Sequence, residues 1–67
     1  MQNNVEKMRK LRDLSQEQLG DALGVSRQTI ISIEKGKYNP SLDLAFRMAR
    51  FFEMTIEEIF VYEEDVK

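Results

Sequence analysis

The stretch Ser15-Gln16-Glu17-Gln18-Leu19-Gly20-Asp21-Ala22-Leu23-Gly24-Val25-Ser26-Arg27-Gln28-Thr29-Ile30-Ile31-Ser32-Ile33 decides the fold. Ser15 followed three residues later by Gln18 has the form of a capping box, in which the serine hydroxyl accepts from the third backbone N–H and the glutamine reaches back. Leu19, Ala22 and Leu23 then predict an inner stripe, and Gly24 stands where a left-handed cap closes a helix. Val25 follows as an apolar plug. Ser26 is a second N-cap, opening a helix that runs through Arg27 to about Lys35, with Ile30 and Ile33 inward and Gly36 as its C-terminal cap. Two short helices joined by a tight glycine-containing turn and crossing steeply form a helix-turn-helix. That geometry accounts for the residue types. A close crossing at position 20 tolerates only glycine or alanine, and the turn needs a residue at ease with positive φ, which is Gly24. Ile30 and Ile33 seat the second helix on the first.

Working outward, a first helix is predicted over about Asn4 to Asp13. Val5, Met8 and either Leu11 or Arg12 follow its inner spacing, with Glu6, Lys7 and Lys10 on the wet side. Beyond the motif, a polar connection through Lys37, Tyr38, Asn39 and Pro40 leads to Ser41, the N-cap of a fourth helix over about Leu42 to Phe52. Asp43, Arg47 and Arg50 form the only wet stripe of that helix, so it is expected to be buried on more than one side. Thr55-Ile56-Glu57-Glu58 starts a short fifth helix with a second capping box. Ile59 to Tyr62 is β-prone and is read as a strand pairing with residues near Met1–Asn4, which covers an otherwise open edge. Residues 63–67 read as a solvated tail.

Composition narrows the function. Sixty-seven residues fit one small domain, and the motif occupies about 16–35 of it. With no cysteine and no histidine, disulfides, thiolate chemistry and the usual zinc ligands are excluded. No apolar run approaches the roughly 20 residues of a membrane span, and no signal peptide is evident, so a cytoplasmic domain is expected. The net charge of −2 is unevenly distributed. Residues 1–38 carry seven Lys/Arg against five Asp/Glu, whereas residues 39–67 carry three against seven. An acidic chain argues weakly against nucleic acid, but the acid lies away from the motif.

The same residues resemble a known family. Leu14-Ser-Gln-Glu-Gln-Leu19, Leu23-Gly-Val-Ser-Arg-Gln-Thr-Ile30 and Ile33-Glu-Lys-Gly-Lys-Tyr-Asn-Pro-Ser41 closely resemble the phage-repressor/Cro-type (XRE-like) helix-turn-helix domains, above all short stand-alone bacterial regulators. The likeness continues to Phe60. It implies an all-α, five-helix repressor-like domain, to which the terminal strand pair read from β-propensity is an optional addition. It further implies that the helix starting at Ser26 enters the major groove of double-stranded DNA. Arg27, Gln28, Thr29 and Ser32 then match the base-reading positions. Arginine suits guanine O6 and N7, and glutamine suits adenine N6 and N7. Gln16, Ser26, Lys35, Lys37, Tyr38 and Asn39 match phosphate-contacting positions, helped by backbone N–H groups at the helix starts. Arg9 and Glu34 match a structural ion pair. Two residues depart from the pattern. Asp13 stands where relatives often have glycine, so the link after the first helix is expected to be strained or longer. Ile31 is apolar on a face expected to be exposed, either to meet thymine methyls or simply tolerated.

A polar tetrad such as Arg27, Gln28, Thr29 and Ser32 is by itself an ordinary solvated face; its place at the start of the second motif helix gives it meaning. The carboxylates Glu57, Glu58, Glu63, Glu64 and Asp65 have no companion nucleophile, histidine or phosphate loop, so the chain is not expected to be an enzyme. A helical protein–protein adaptor on the same scaffold is the alternative. Phe46, Phe51, Phe60 and Tyr62 exceed what so short a chain readily surrounds, and a symmetric homodimer interface is expected there. The resulting expectation is a sequence-specific transcription regulator, a repressor acting at the nucleoid, with no cofactor, metal or small-molecule ligand.

Overall fold

Serine and threonine hydroxyls set where helices begin. In the computed structural model, which describes residues 1–62, the side chains of Ser15, Ser26, Ser41 and Thr55 each accept a hydrogen bond from the backbone N–H three residues on. They open α2 (Gln16–Leu23), α3 (Arg27–Glu34), α4 (Leu42–Phe52) and α5 (Ile56–Ile59). Both expected capping boxes form, Ser15 with Gln18 and Thr55 with Glu58. The first helix, α1, covers Val5–Leu11. Its N-cap residue Asn4 makes no side-chain capping bond; instead Asn3 Oδ1 accepts from the Val5 N–H at 3.1 Å. The tail expected over 63–67 lies outside the described residues.

The ends of α1 to α4 share one device. In each, a residue at positive φ sends its N–H back three residues and the next residue bonds five back, the pattern of a Schellman motif. Gly24 (φ 75°) and Gly36 (φ 74°) hold this position after α2 and α3, while Asp13 (φ 55°) and Glu53 (φ 56°) hold it after α1 and α4. The residue at which α3 stops is Lys35, still right-handed, with Gly36 one step beyond. The strain expected at Asp13 therefore has a definite form: a β-carbon in a left-handed backbone. Apolar residues follow three of these turns, and Leu14, Val25 and Met54 all pack against the core.

The strand pair also forms. Strand β1 (Gln2–Asn3) runs antiparallel to β2 (Phe60–Val61), with Gln2 opposite Val61 and Asn3 opposite Phe60. Asn3 Nδ2 donates to the Ile33 carbonyl at 2.8 Å, and Asn4 Nδ2 donates to the Glu58 carbonyl at 3.0 Å. The two ends of the described chain are thus tied together and to the last turn of α3.

Leu19, Leu23, Ile30 and Ile33 from the motif meet Val5, Leu44, Met48, Phe52, Ile59 and Phe60 in a single core. Three expectations about burial fail, and a fourth, for α4, is met only in part within one chain. Ala22 is exposed, because the inner stripe of α2 is Leu19, Gly20 and Leu23. Leu11 is 67% exposed and Arg12 is also at the surface, since α1 stops before a third inward turn. Helix α4 buries one face, through Leu44, Ala45, Met48, Ala49 and Phe52, and leaves Leu42 and Phe46 open to solvent. Phe60, expected at a dimer interface, is only 8% exposed and fills the core instead, because the strand pairing turns it inward.

Candidate nucleic-acid interface

The placing of α3 depends on Gly20. A β-carbon there would lie 2.7 Å from the Val25 carbonyl oxygen, 3.3 Å from the Ser26 carbonyl carbon and 3.4 Å from the Arg27 nitrogen. These are backbone atoms of the turn and the start of α3, and they cannot rotate away. Alanine, thought tolerable from the sequence, is therefore also too large without a backbone shift. The turn is held from behind by Arg47 of α4, whose guanidinium donates to the Leu23 carbonyl and to Asp43 Oδ2. Read from the sequence only as part of a wet stripe, Arg47 joins α4 to the last turn of α2.

With Ile30 and Ile33 buried, the helical period turns the rest of α3 outward. Arg27 and Gln28 are exposed, and Thr29, Ile31 and Ser32 are half-buried. Ser26 has a double role: its Oγ caps α3 and lies 3.0 Å from Thr29 Oγ1. Ser26, Gln28, Thr29 and Ser32 line one shallow depression with Tyr38. Lys35, Lys37, Tyr38 and Asn39 are exposed on the segment after the helix. Arg27 looks the other way, into an open depression shared with Ser15, Gln16, Lys10 and the carboxylates of Glu6 and Glu17. On the open side of α3 the residues expected to read bases thus divide between two depressions, Gln28, Thr29 and Ser32 in one and Arg27 with Gln16 in the other.

Beneath that side sits a buried polar cluster. Arg9 and Glu34 are paired bidentately, Nε to Oε2 at 2.7 Å and Nη2 to Oε1 at 3.3 Å, with side chains only 9% and 5% exposed. Arg9 Nη1 also donates to the Leu14 carbonyl at 2.8 Å, tying α1 to the link before α2. The hydrogen bonds to Glu34 hold the Arg9 guanidinium above its ordinary value, outweighing the opposing effect of burial, so it stays charged. Gln16 adds an interaction the sequence did not suggest: its Nε2 donates to Glu34 Oε1 at 3.1 Å. Among the described residues, no group of three or more His, Cys, Asp or Glu can hold a metal ion, and no helix is long and apolar enough to cross a membrane.

Comparison with known proteins agrees with this geometry. The family described as helix-turn-helix matches residues 5–59. An uncharacterized HTH-type transcriptional regulator of Methanocaldococcus jannaschii is 60% identical over 65 residues, covering 97% of this chain and 98% of the other. The cryptic phage CTXphi transcriptional repressor RstR of Vibrio cholerae is 32% identical over 57 residues, 85% of this chain and 51% of that protein. Among solved structures, the restriction-modification controller protein C.AhdI from Aeromonas hydrophila superimposes with a TM-score of 0.74 at 28% identity, covering 85% of this chain and 83% of that one. The chain belongs to the helix-turn-helix family of Cro/CI type, a group of transcription regulators rather than enzymes.

Proposed function

We propose that two copies of this chain bind a DNA operator of approximate twofold symmetry and repress transcription by covering a promoter. One observation carries the reading: the first turn of α3 stands open, with Arg27 and Gln28 exposed while Ile30 and Ile33 of the same helix are buried. In a major groove, Arg27, Gln28, Thr29 and Ser32 select the bases. Gln16, Ser26, Lys35, Lys37, Tyr38 and Asn39 fix the register on phosphate. The Arg9–Glu34 pair holds the scaffold and touches no base. A homodimer places two such helices roughly 34 Å apart on one side of the duplex. Its interface in this proposal uses the solvent-facing side of α4 with the C-terminal segment. Phe46 is 51% and Tyr62 76% exposed, and Phe51 sits half-buried at the margin. Such a regulator works in the cytoplasm, on the nucleoid, and its mechanism uses no cofactor.

Selection of bound sequences from random duplex DNA tests this. Enrichment of a site with two inverted half-sites is the expected result. No enrichment at low salt, where phosphate attraction is strongest, would overturn it in favour of a protein–protein adaptor.

A further inference from the structure

We infer that Glu34 is a positioning residue for DNA, orienting the carboxamide of Gln16 so that one of its N–H hydrogens is kept for a backbone phosphate. The inference rests on the proposed phosphate contact of Gln16. Glu34 Oε1 accepts from both Arg9 Nη2 (3.3 Å) and Gln16 Nε2 (3.1 Å), while Oε2 accepts from Arg9 Nε (2.7 Å). A buried carboxylate repels an amide oxygen, so the nitrogen end of Gln16 is the end that faces it. That nitrogen carries two hydrogens, and Glu34 takes one. A phosphate oxygen can only accept, so the second hydrogen is the one available to DNA. Gln16 is the first residue of α2 and lines an open depression with Lys10, Arg27, Glu6 and Glu17; Lys10 is paired with Glu6 at 3.1 Å, so Arg27 is the cation that draws an anion toward the fixed amide. Arg9 makes the arrangement possible. Its guanidinium balances the Glu34 carboxylate, which would otherwise oppose an approaching phosphate. The ion pair therefore acts on binding through Gln16, beyond its part in the fold.

A double-mutant cycle on DNA affinity distinguishes this from a purely structural role. Phosphate contacts do not depend on base sequence, so a labelled mixed-sequence duplex at low salt is a sufficient probe. Replacing the pair by Arg9→Met with Glu34→Met removes the acceptor while leaving an apolar fill that buried pairs often tolerate, and thermal melting checks the fold. In the parent protein, Gln16→Ala is expected to weaken binding about tenfold, the value of a hydrogen bond to a charged group. In the Met/Met background the same change is expected to weaken it less than about twofold, because the amide there is already unoriented. Equal losses in both backgrounds would overturn the inference, as would a Gln16→Ala change without effect in the parent. If Met/Met does not fold, Glu34→Asp serves as the background: it keeps the charge for Arg9 but withdraws the carboxylate from Gln16, and the same criterion applies. Failure of the parent protein to bind any duplex is a different result, and it would remove the DNA-binding proposal itself.

Discussion

Helices α2 and α3 turn their large apolar side chains Leu19, Leu23, Ile30 and Ile33 inward and present mostly polar residues to solvent. Helix α4 is different. It buries five residues on one face and still leaves Leu42 71% and Phe46 51% exposed. The difference shows two ways of using a limited amount of core. The motif is fixed by constraints that have few alternatives: a backbone contact at Gly20, a bidentate ion pair under the surface, and an arginine on the last carbonyl of α2. The α4 side is fixed by apolar packing, which is tolerant, and it has apolar surface left over. Mutations in the motif should therefore cost stability steeply, whereas mutations on the open side of α4 should cost little and act on assembly.

The largest effect is expected at the crossing. Gly20→Leu forces side-chain atoms into the Val25 carbonyl and the start of α3, where no flexible neighbour can yield. A domain of this size has only about 5–15 kcal/mol of stability, so loss of the folded state is expected, seen as loss of helical circular dichroism. A folded Gly20→Leu protein would show that the crossing is not held by backbone contact.

Arg9→Ala comes next. It leaves the Glu34 carboxylate, 5% exposed, without its partner, and removes the donor to the Leu14 carbonyl. Breaking one side of a buried pair costs about 3–5 kcal/mol, to be measured by denaturant unfolding. The Arg9→Met, Glu34→Met pair should recover much of that loss. If it does not, the hydrogen bond to Leu14 matters more than the charge pair does.

How much of this was legible in the sequence depends on the kind of constraint. Ser15, Ser26, Ser41 and Thr55 could be read as caps because a hydroxyl placed before an apolar run acts on its own local backbone. Gly24 and Gly36 could be read as turns for the same local reason. Glu53 adopts the same left-handed turn after α4, yet nothing in its side chain advertises a positive φ; only the termination of α4 above Met54 imposes it. Ala22 and Leu11 were misplaced because a helical period fits several faces equally well, and the neighbours that choose one come from elsewhere in the chain. The contacts of Asn3 with Ile33 and of Gln16 with Glu34 join residues 30 and 18 positions apart, beyond the reach of local patterns. The candidate reading face was legible through family likeness. The polar cluster beneath it was only half legible, as a pair without its third member.

Arg12 tests the boundary between the two regions, with a smaller effect. Its guanidinium donates to the Phe51 and Phe52 carbonyls, both at 3.2 Å, and lies 5.6 and 5.5 Å from the centroids of their rings. It thereby closes the C-terminus of α4 from α1, where cations suit the helix dipole. The side chain is 38% exposed, so solvent competes for these bonds and Arg12→Ala should cost only about 1–2 kcal/mol. A loss as large as that of Arg9→Ala would mean that the α4 side is as tightly specified as the motif.

The smallest expected effect on stability is at Phe46. It stands between two open grooves on α4, one bordered by Leu23 and Phe51, the other by Met54 and Ile56. Half of its surface is already in water, so Phe46→Gln removes little burial within one chain and should change unfolding by about 1 kcal/mol or less. If two copies meet on this side, the same substitution removes a central apolar anchor from both at once, because a twofold interface uses each residue twice. Sedimentation at micromolar concentration should then shift toward the 7.9 kDa species while the melting curve of that species stays nearly unchanged. A protein already monomeric before the substitution would leave the solvent-facing side of α4 without its proposed partner. The twofold operator would then require two chains brought together by DNA alone.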